Sequence, residues 1–234
     1  MALNVVILAA GLGTRLGRPY PKPLTPLADG RSILRRQLDH LHRAFGRAAH
    51  VSVVVGFKMD LIMEAAADEA TFVYNELYDQ TNTAKSLLRA LRLAPPGGVL
   101  WLNGDVVFVP PLLDALVPYV AEERTFVAVN TASVGEEEIK YTLDGGGYIK
   151  DLSKRVAGAH GEAVGINYVS AADRAILAEH LDRAAETDYF ERALETAIAD
   201  TGLRIAAVDI SAYGCVEVDF EPDLVQANAL ECAR

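Results

Sequence analysis

Short apolar runs alternate with segments of helical apolar spacing through the first 130 residues, and this rhythm narrows the fold more than any other feature. Residues 5–9, 51–55, 71–74, 99–102 and 126–129 read as strands, several of them β-branched throughout as strands buried on both faces are. Between them, residues 32–45, 59–67, 83–93 and 111–120 read as helices; in the first, Ile33, Leu34, Leu38, Leu41 and Phe45 recur at helical spacing. A strand that passes through a helix to a neighbouring strand crosses over right-handedly. The expectation is therefore an α/β fold, a Rossmann-like doubly wound and mainly parallel sheet with helices on both faces.

The rhythm changes after Asn130. Residues 139–143, 148–152 and 163–169 read as shorter strands, and residues 171–184 and 189–199 as helices. Strands at 205–209 and 215–218 and a last helix at 222–232 follow. No repeat or long linker interrupts the chain. It is read as one domain, 1–234, whose part after residue 130 is a small β-rich extension on the substrate side.

Composition excludes several functions. A net charge of -10 with no Lys/Arg block argues against binding nucleic acid or anionic membrane, which needs clustered cations. Phosphate chemistry here must rest on a few placed cations or a metal. Cys215 and Cys232 have neither zinc nor disulfide spacing, so buried free thiols and a reducing compartment are expected. The N-terminus lacks a basic segment and is broken by glycine at 11 and 13, so it reads as a strand, and a cytoplasmic location is expected. His40, His42, His50, His160 and His180 show no metal or triad spacing and are expected at the surface or at caps.

The first strand opens into Leu8-Ala9-Ala10-Gly11-Leu12-Gly13-Thr14-Arg15-Leu16-Gly17, followed by Pro21-Lys22-Pro23-Leu24. Glycines there let backbone N–H groups approach a phosphate closely. Thr14 adds a hydroxyl, and Arg15 a fork suited to terminal phosphates. A dinucleotide fingerprint fails on spacing, because the third glycine falls at Gly17 and prolines 19, 21 and 23 forbid a helix. A Walker A run is absent.

LAAGLGTRL with PKPL resembles the N-terminal signature of the nucleotidyltransferase superfamily of sugar-phosphate, phosphocholine and related cytidylyl- and uridylyltransferases. The resemblance implies that the loop wraps the NTP phosphates, that Arg15 grips the β and γ phosphates, and that Lys22 stabilises the α-phosphoryl group in transfer.

Asn103-Gly104-Asp105 ends the fourth strand and Glu217-Val218-Asp219 a late one, with 217 and 219 on one face. Magnesium takes hard oxygen ligands, usually one or two carboxylates with phosphate oxygens and water. The resemblance implies that Asp105 and Asp219 hold Mg2+, with Glu217 joining them directly or as a supporting partner. The plainer readings are a turn for Asp105 and an N-cap for Asp219, before a helix starting at Pro222.

The stretch Asn75 to Leu87, with Tyr78, Asn82, Thr83 and Ser86, suits a capped helix start; its functional reading is a pyrimidine pocket. It resembles the phosphocholine and aminoalkylphosphonate cytidylyltransferase branch, which uses CTP. Gly146 to Lys154, Gly161 to Ile166 and Asp188-Tyr189-Phe190-Glu191 resemble that branch too. A cationic amine headgroup calls for carboxylates and aromatic faces, which Tyr78, Glu162, Asp188, Tyr189 and Glu191 supply. Lys140, Lys150 and Lys154 are candidates for the acceptor's phosphate or phosphonate, against the plain reading of solvated lysines. The expected partners are CTP, or another NTP, and a small phosphorylated or phosphonate acceptor; a homodimer stays open. A sugar-1-phosphate or inositol-1-phosphate nucleotidyltransferase and a non-catalytic NTP-binding regulator also remain open.

Overall fold

Apolar runs that cannot be left in water set the layers. In the computed structural model, which describes residues 3–46, 49–132, 134–135 and 138–230, β1 (Asn4–Ala9) is buried along its whole length. It lies between β2 (His50–Val55) and β4 (Val99–Asn103), parallel to both. β3 (Thr71–Tyr74) extends the sheet beyond β2, again in parallel. On the other side β9 (Gly161–Val169) runs antiparallel to β4 and to β6 (Phe126–Asn130), and β10 (Ala206–Asp209) closes that edge parallel to β6. The order is β10-β6-β9-β4-β1-β2-β3. The mainly parallel, doubly wound sheet is as expected, but the fifth expected strand, β6, does not sit beside β4. The late strand β9 is inserted between them.

Alternation along β1 sends Val5, Ile7 and Ala9 to one face and Val6 and Leu8 to the other. The first face is covered by α1 (Ile33–Phe45), α2 (Met59–Ala66) and α4 (Pro110–Ala121), through Leu34, Leu38, Leu41, Ile62, Leu112 and Leu116. The second is covered by α3 (Thr83–Leu93), α5 (Arg174–Arg183) and α6 (Phe190–Thr201), through Leu87, Leu91, Leu177, Leu181, Phe190 and Leu194. Ser32 starts α1 by accepting a hydrogen bond from the Arg35 N–H at 3.1 Å. α5 begins at Arg174, later than expected, because Ser170 and Asp173 bond each other's side chain and backbone in a turn before it.

β7 (Lys140–Leu143) and β8 (Ile149–Ser153) form the expected extension against β9. A short ribbon was not expected: β5 (Val106–Phe108) pairs antiparallel with β11 (Cys215–Glu217). Val107, Val216 and Val218 bury their side chains with Leu16, Leu27, Ile33 and Ala227 of α7 (Glu221–Ala229) in a third small core. That core seats the late carboxylates beside the loop after β1. Residues 22–24 form a single 3-10 turn despite the prolines, since Pro23 stands in the first turn, where an N–H is not needed.

Two histidines depart from expectation. His40 (6% exposed) packs on Phe108, and His180 (3% exposed) shares a 3.1 Å hydrogen bond with Thr196. Both serve the interior. Cys215 is a free, partly buried thiol, whereas Cys232 lies outside the described residues. No helix of the described residues is long and apolar enough to cross a membrane.

Candidate active site

The chain runs from β1 outward through β2 and β3, then returns to β4 on the other side of β1. Where the order reverses, the loops leaving β1 and β4 part and open a crevice at the C-terminal sheet edge. A cavity of about 460 Å³ occupies it, within the range of small-molecule sites.

The floor is built from the loop after β1. Leu8, Ala9, Gly11, Leu12, Gly13, Thr14 and Arg15 line it. Ala10 is set back, 5% exposed, and its carbonyl accepts from the Phe57 N–H at 3.2 Å. Gly13 has φ +61, and a Cβ there would stand 3.1 Å from Lys22 Cβ. The loop thus lies directly on the Lys22 turn, and glycine is what permits both the conformation and the approach. Gly104 does the same for the loop after β4: an added Cβ would meet Leu8 O at 2.7 Å and Pro23 Cγ at 2.9 Å.

Charge converges at this point. The Lys22 ammonium, 9% exposed, donates to Asp105 Oδ2 at 2.9 Å and to Asp219 Oδ1. Arg15 Nη1 donates to Asp219 Oδ2 at 2.7 Å. Burial works against the lysine's charge, but Asp105 and Asp219 outweigh it and hold its pKa above the ordinary value. Burial likewise disfavours ionised Asp219, yet Lys22 and Arg15 hold its pKa below the usual carboxylate range. Glu217 goes the other way, raised by burial and by the charges of Asp105 and Asp219. One oxygen from each of Asp105, Glu217 and Asp219 lies within 4.8 Å of those of the other two. Asp105 Oδ1 is buried with no hydrogen-bond partner. Asp219 does not cap α7. Asp223 Oδ2 accepts from the Asp219 and Phe220 N–H groups at 3.0 and 2.7 Å, leaving both Asp219 oxygens to the cations.

The other expected residues divide. Tyr78, Asn82, Thr83, Tyr189 and Glu191 line the cavity, with Gly104, Asp105 and Lys154. Ser86 does not: it is buried beneath the wall, 3.0 Å from Asn75 Nδ2. Lys150 points outward, exposed on β8. Lys140 reaches the Lys154 carbonyl at 3.5 Å. The Glu162 oxygens accept from Asn130 Nδ2 (3.3 Å) and the Gly135 N–H (2.7 Å), and Glu162 is not on the cavity wall. Asp188 accepts from the Ala185 N–H at 2.9 Å and faces a neighbouring cavity. Glu138, which sequence reasoning passed over, does line the site. It ends an acidic run, Glu136-Glu137-Glu138, that looks like solvated charge; its place directly before the β7 segment was the available signal.

The MobA-like NTP transferase domain model matches residues 5–204, most of the chain. The chain belongs to this family. MobA-like NTP transferases are nucleotidyltransferases, and the fold agrees with that membership. Glu217 and Asp219 lie beyond the matched stretch. CMP-5'-(3-aminopropyl)phosphonate synthase of Streptomyces rubellomurinus is 40% identical over 136 residues, covering 55% of this chain and 21% of that protein. The chain spans about a fifth to a quarter of the length of the curated relatives it matches. Two solved structures superpose over nearly the whole chain. The inositol-1-phosphate CTP transferase from T. maritima gives a TM-score of 0.77 at 17% identity, covering 98% of this chain and 96% of its own. The CTP:phosphocholine cytidylyltransferase from Streptococcus pneumoniae gives 0.75 at 18%, covering 99% and 100%. At such identities the likeness establishes the fold.

Proposed function

We propose that this MobA-like domain transfers CMP from CTP to a small amine-bearing phosphate or phosphonate and releases pyrophosphate. The observation that carries the reading is the meeting of Lys22, Arg15, Asp105 and Asp219 on the floor of a glycine-walled cavity. Residues 1–130 supply the nucleotide side and residues 131–234 most of the acceptor side of a single domain.

The donor set suits a hard divalent cation. Three carboxylates are grouped, and the buried Asp105 Oδ1 lacks a partner that a cation would supply. Asp105, Asp219 and Glu217 would hold Mg2+, which supplies charge neutralisation at the triphosphate when bound.

An acceptor phosphate or phosphonate is already anionic at neutral pH, so its oxygen needs no general base. The difficulty is to bring two anions together in line. The Gly11–Thr14 backbone and Arg15 hold the β and γ phosphates, and Lys22 stands by the α-phosphoryl group. The acceptor oxygen forms a bond to Pα as the bond from Pα to the bridging oxygen breaks, and pyrophosphate leaves with the electron pair. Arg15 stabilises the charge it carries away. Asn82 and Thr83 face the base; Thr83 Oγ1 accepts from the Phe190 N–H at 3.1 Å, which leaves its proton to donate.

Pyrophosphate release, measured with CTP, UTP, GTP and ATP against a panel of phosphorylated acceptors, tests the reading. Release with CTP and an amine-bearing phosphate or phosphonate supports it. Release only with a sugar 1-phosphate or inositol 1-phosphate replaces the acceptor class, and no release with any pair refutes catalysis.

A further inference from the structure

The turn that carries Asp105 is short and has little stiffness of its own. β4 ends at Asn103 and β5 starts at Val106, so Gly104 and Asp105 alone join them. Glycine at 104 permits the approach to Leu8 O, but it also leaves the backbone there free to take many conformations. The Asp105 carboxylate is held at Oδ2 by Lys22, while its Oδ1 has no hydrogen-bond partner. Its direction therefore depends on how the backbone of the turn is fixed.

Gln37 fixes that backbone from behind. It stands in α1, 2% exposed, one helical turn from Leu34 and from Leu41 on the face packed against the sheet. Its Nε2 donates to Asn103 O at 2.9 Å and to Val106 O at 2.8 Å, the carbonyls on either side of Gly104-Asp105. One amide group thus spends both its N–H protons on the two ends of the turn. The Gly104 N–H, donating to Leu8 O at 2.9 Å, and the Val218 N–H, donating to Asp105 O at 3.0 Å, complete the frame. The arrangement carries a cost, because Gln37 Oε1 is buried with no hydrogen-bond partner. A buried amide left half satisfied calls for a reason beyond packing. Gln37 does not line the cavity, so whatever it contributes to the site passes through the turn.

We propose that Gln37 is a positioning residue, which pins both ends of the Asn103–Val106 turn and so aims the Asp105 carboxylate at Lys22 and at the divalent cation the carboxylates would hold. The proposal rests on the role given to Asp105 above.

Gln37→Met, which keeps the length of the side chain and removes both donors, tests it. The full chain is titrated calorimetrically with CTP, UTP, GTP and ATP, each in Mg2+ and in EDTA, and the NTP bound by the unaltered chain serves as the probe. The ratio of its affinity in Mg2+ to that in EDTA is expected to fall roughly tenfold or more in Gln37→Met, with a similar loss of kcat. Adding Gln37→Met to Asp105→Asn should lower that ratio no further, since the carboxylate it aims is already gone. A role in packing alone would lower stability and leave the ratio at its original value, which overturns the proposal. Equal losses with and without Asp105, or an unaltered chain that binds no NTP or binds it without regard to Mg2+, overturn it too. Gln37→Asn, which draws the amide back by one methylene, is measured alongside, and failure of both variants to fold assigns Gln37 to the fold alone. A Mg2+-dependent binding ratio that falls in Gln37→Met, without pyrophosphate release from any NTP, would keep the role of Gln37 and remove the transferase reading.

Discussion

Lys22 is held by two carboxylates at once, one from the loop after β4 and one from the turn between β11 and α7. That pairing keeps it charged and pointed at the cavity floor. Replacing it with Ala, or Asp105 with Ala, is expected to lower kcat by roughly 100-fold or more while the fold survives; wild-type turnover by either purified variant would refute the assignment. Glu191 makes a second prediction at this scale. Its folded pKa of about 7 lies above the ordinary 4.5 of an unfolded chain, so the folded state keeps the proton longer. The cost of ionising it grows as pH rises from about 4.5 to about 7 and is constant above. Glu191→Gln removes that cost and should be more stable than wild type by roughly 3 kcal/mol at pH 8, with little difference near pH 4. Urea unfolding at the two pH values measures it, and a gain independent of pH would contradict the burial argument.

Elements act through their ends. The start of α3 is tied to the segment before α6: the Asn82 N–H donates to Glu186 O at 2.8 Å, Ala84 N–H to Asp188 O at 3.3 Å, and Lys85 Nζ to Asp182 O at 2.9 Å. These bonds tie the α3 side of the cavity to the α6 side. Ser86 belongs to the support of the α3 side, through Asn75. Ser86→Ala is expected to cost about 1 kcal/mol of stability and leave the KM for CTP within about twofold; a large rise in that KM would return Ser86 to the pocket. On the opposite wall, the loop after β4 lies against Leu8 O and Pro23 so closely that Gly104 has no room for a Cβ. Gly104→Ala must push Asp105 away from Lys22. Activity should fall by roughly 100-fold, as about 1 Å of misplacement costs, and a crystal structure of the variant would show the displaced carboxylate.

For the whole molecule, the net charge is -10, and the proposed function confines phosphate binding to one crevice rather than to a basic surface. Binding there stabilises the folded state by mass action. CTP with Mg2+ at about 100 times its Kd is expected to add roughly 2.7 kcal/mol, a Tm rise of roughly 5–10 °C for a chain of this size. Chelation by EDTA should abolish most of the rise, and Asp219→Asn should reduce it. A shift insensitive to both would remove the carboxylates from nucleotide binding. The assembly of the site also depends on long-range packing, because Glu217 and Asp219 reach Asp105 only through the β5–β11 ribbon and the small core formed by Leu16, Val107, Val216 and Val218.

Local order was legible where it is encoded locally. The strand–helix rhythm, the glycine loop on a strand end and the chemical types of Lys22, Arg15, Asp105 and Asp219 follow from spacing and side-chain chemistry, which neighbours in sequence determine. Tertiary structure decided what depends on distant partners. It inserted β9 between β4 and β6, made a strand of Val106–Phe108 by giving it β11 to pair with, and turned Ser86, Lys150 and Glu162 away from the cavity while bringing Glu138 to its wall. Period and propensity decide which element a residue joins, but the direction its side chain takes is set by sheet register and by what packs behind it.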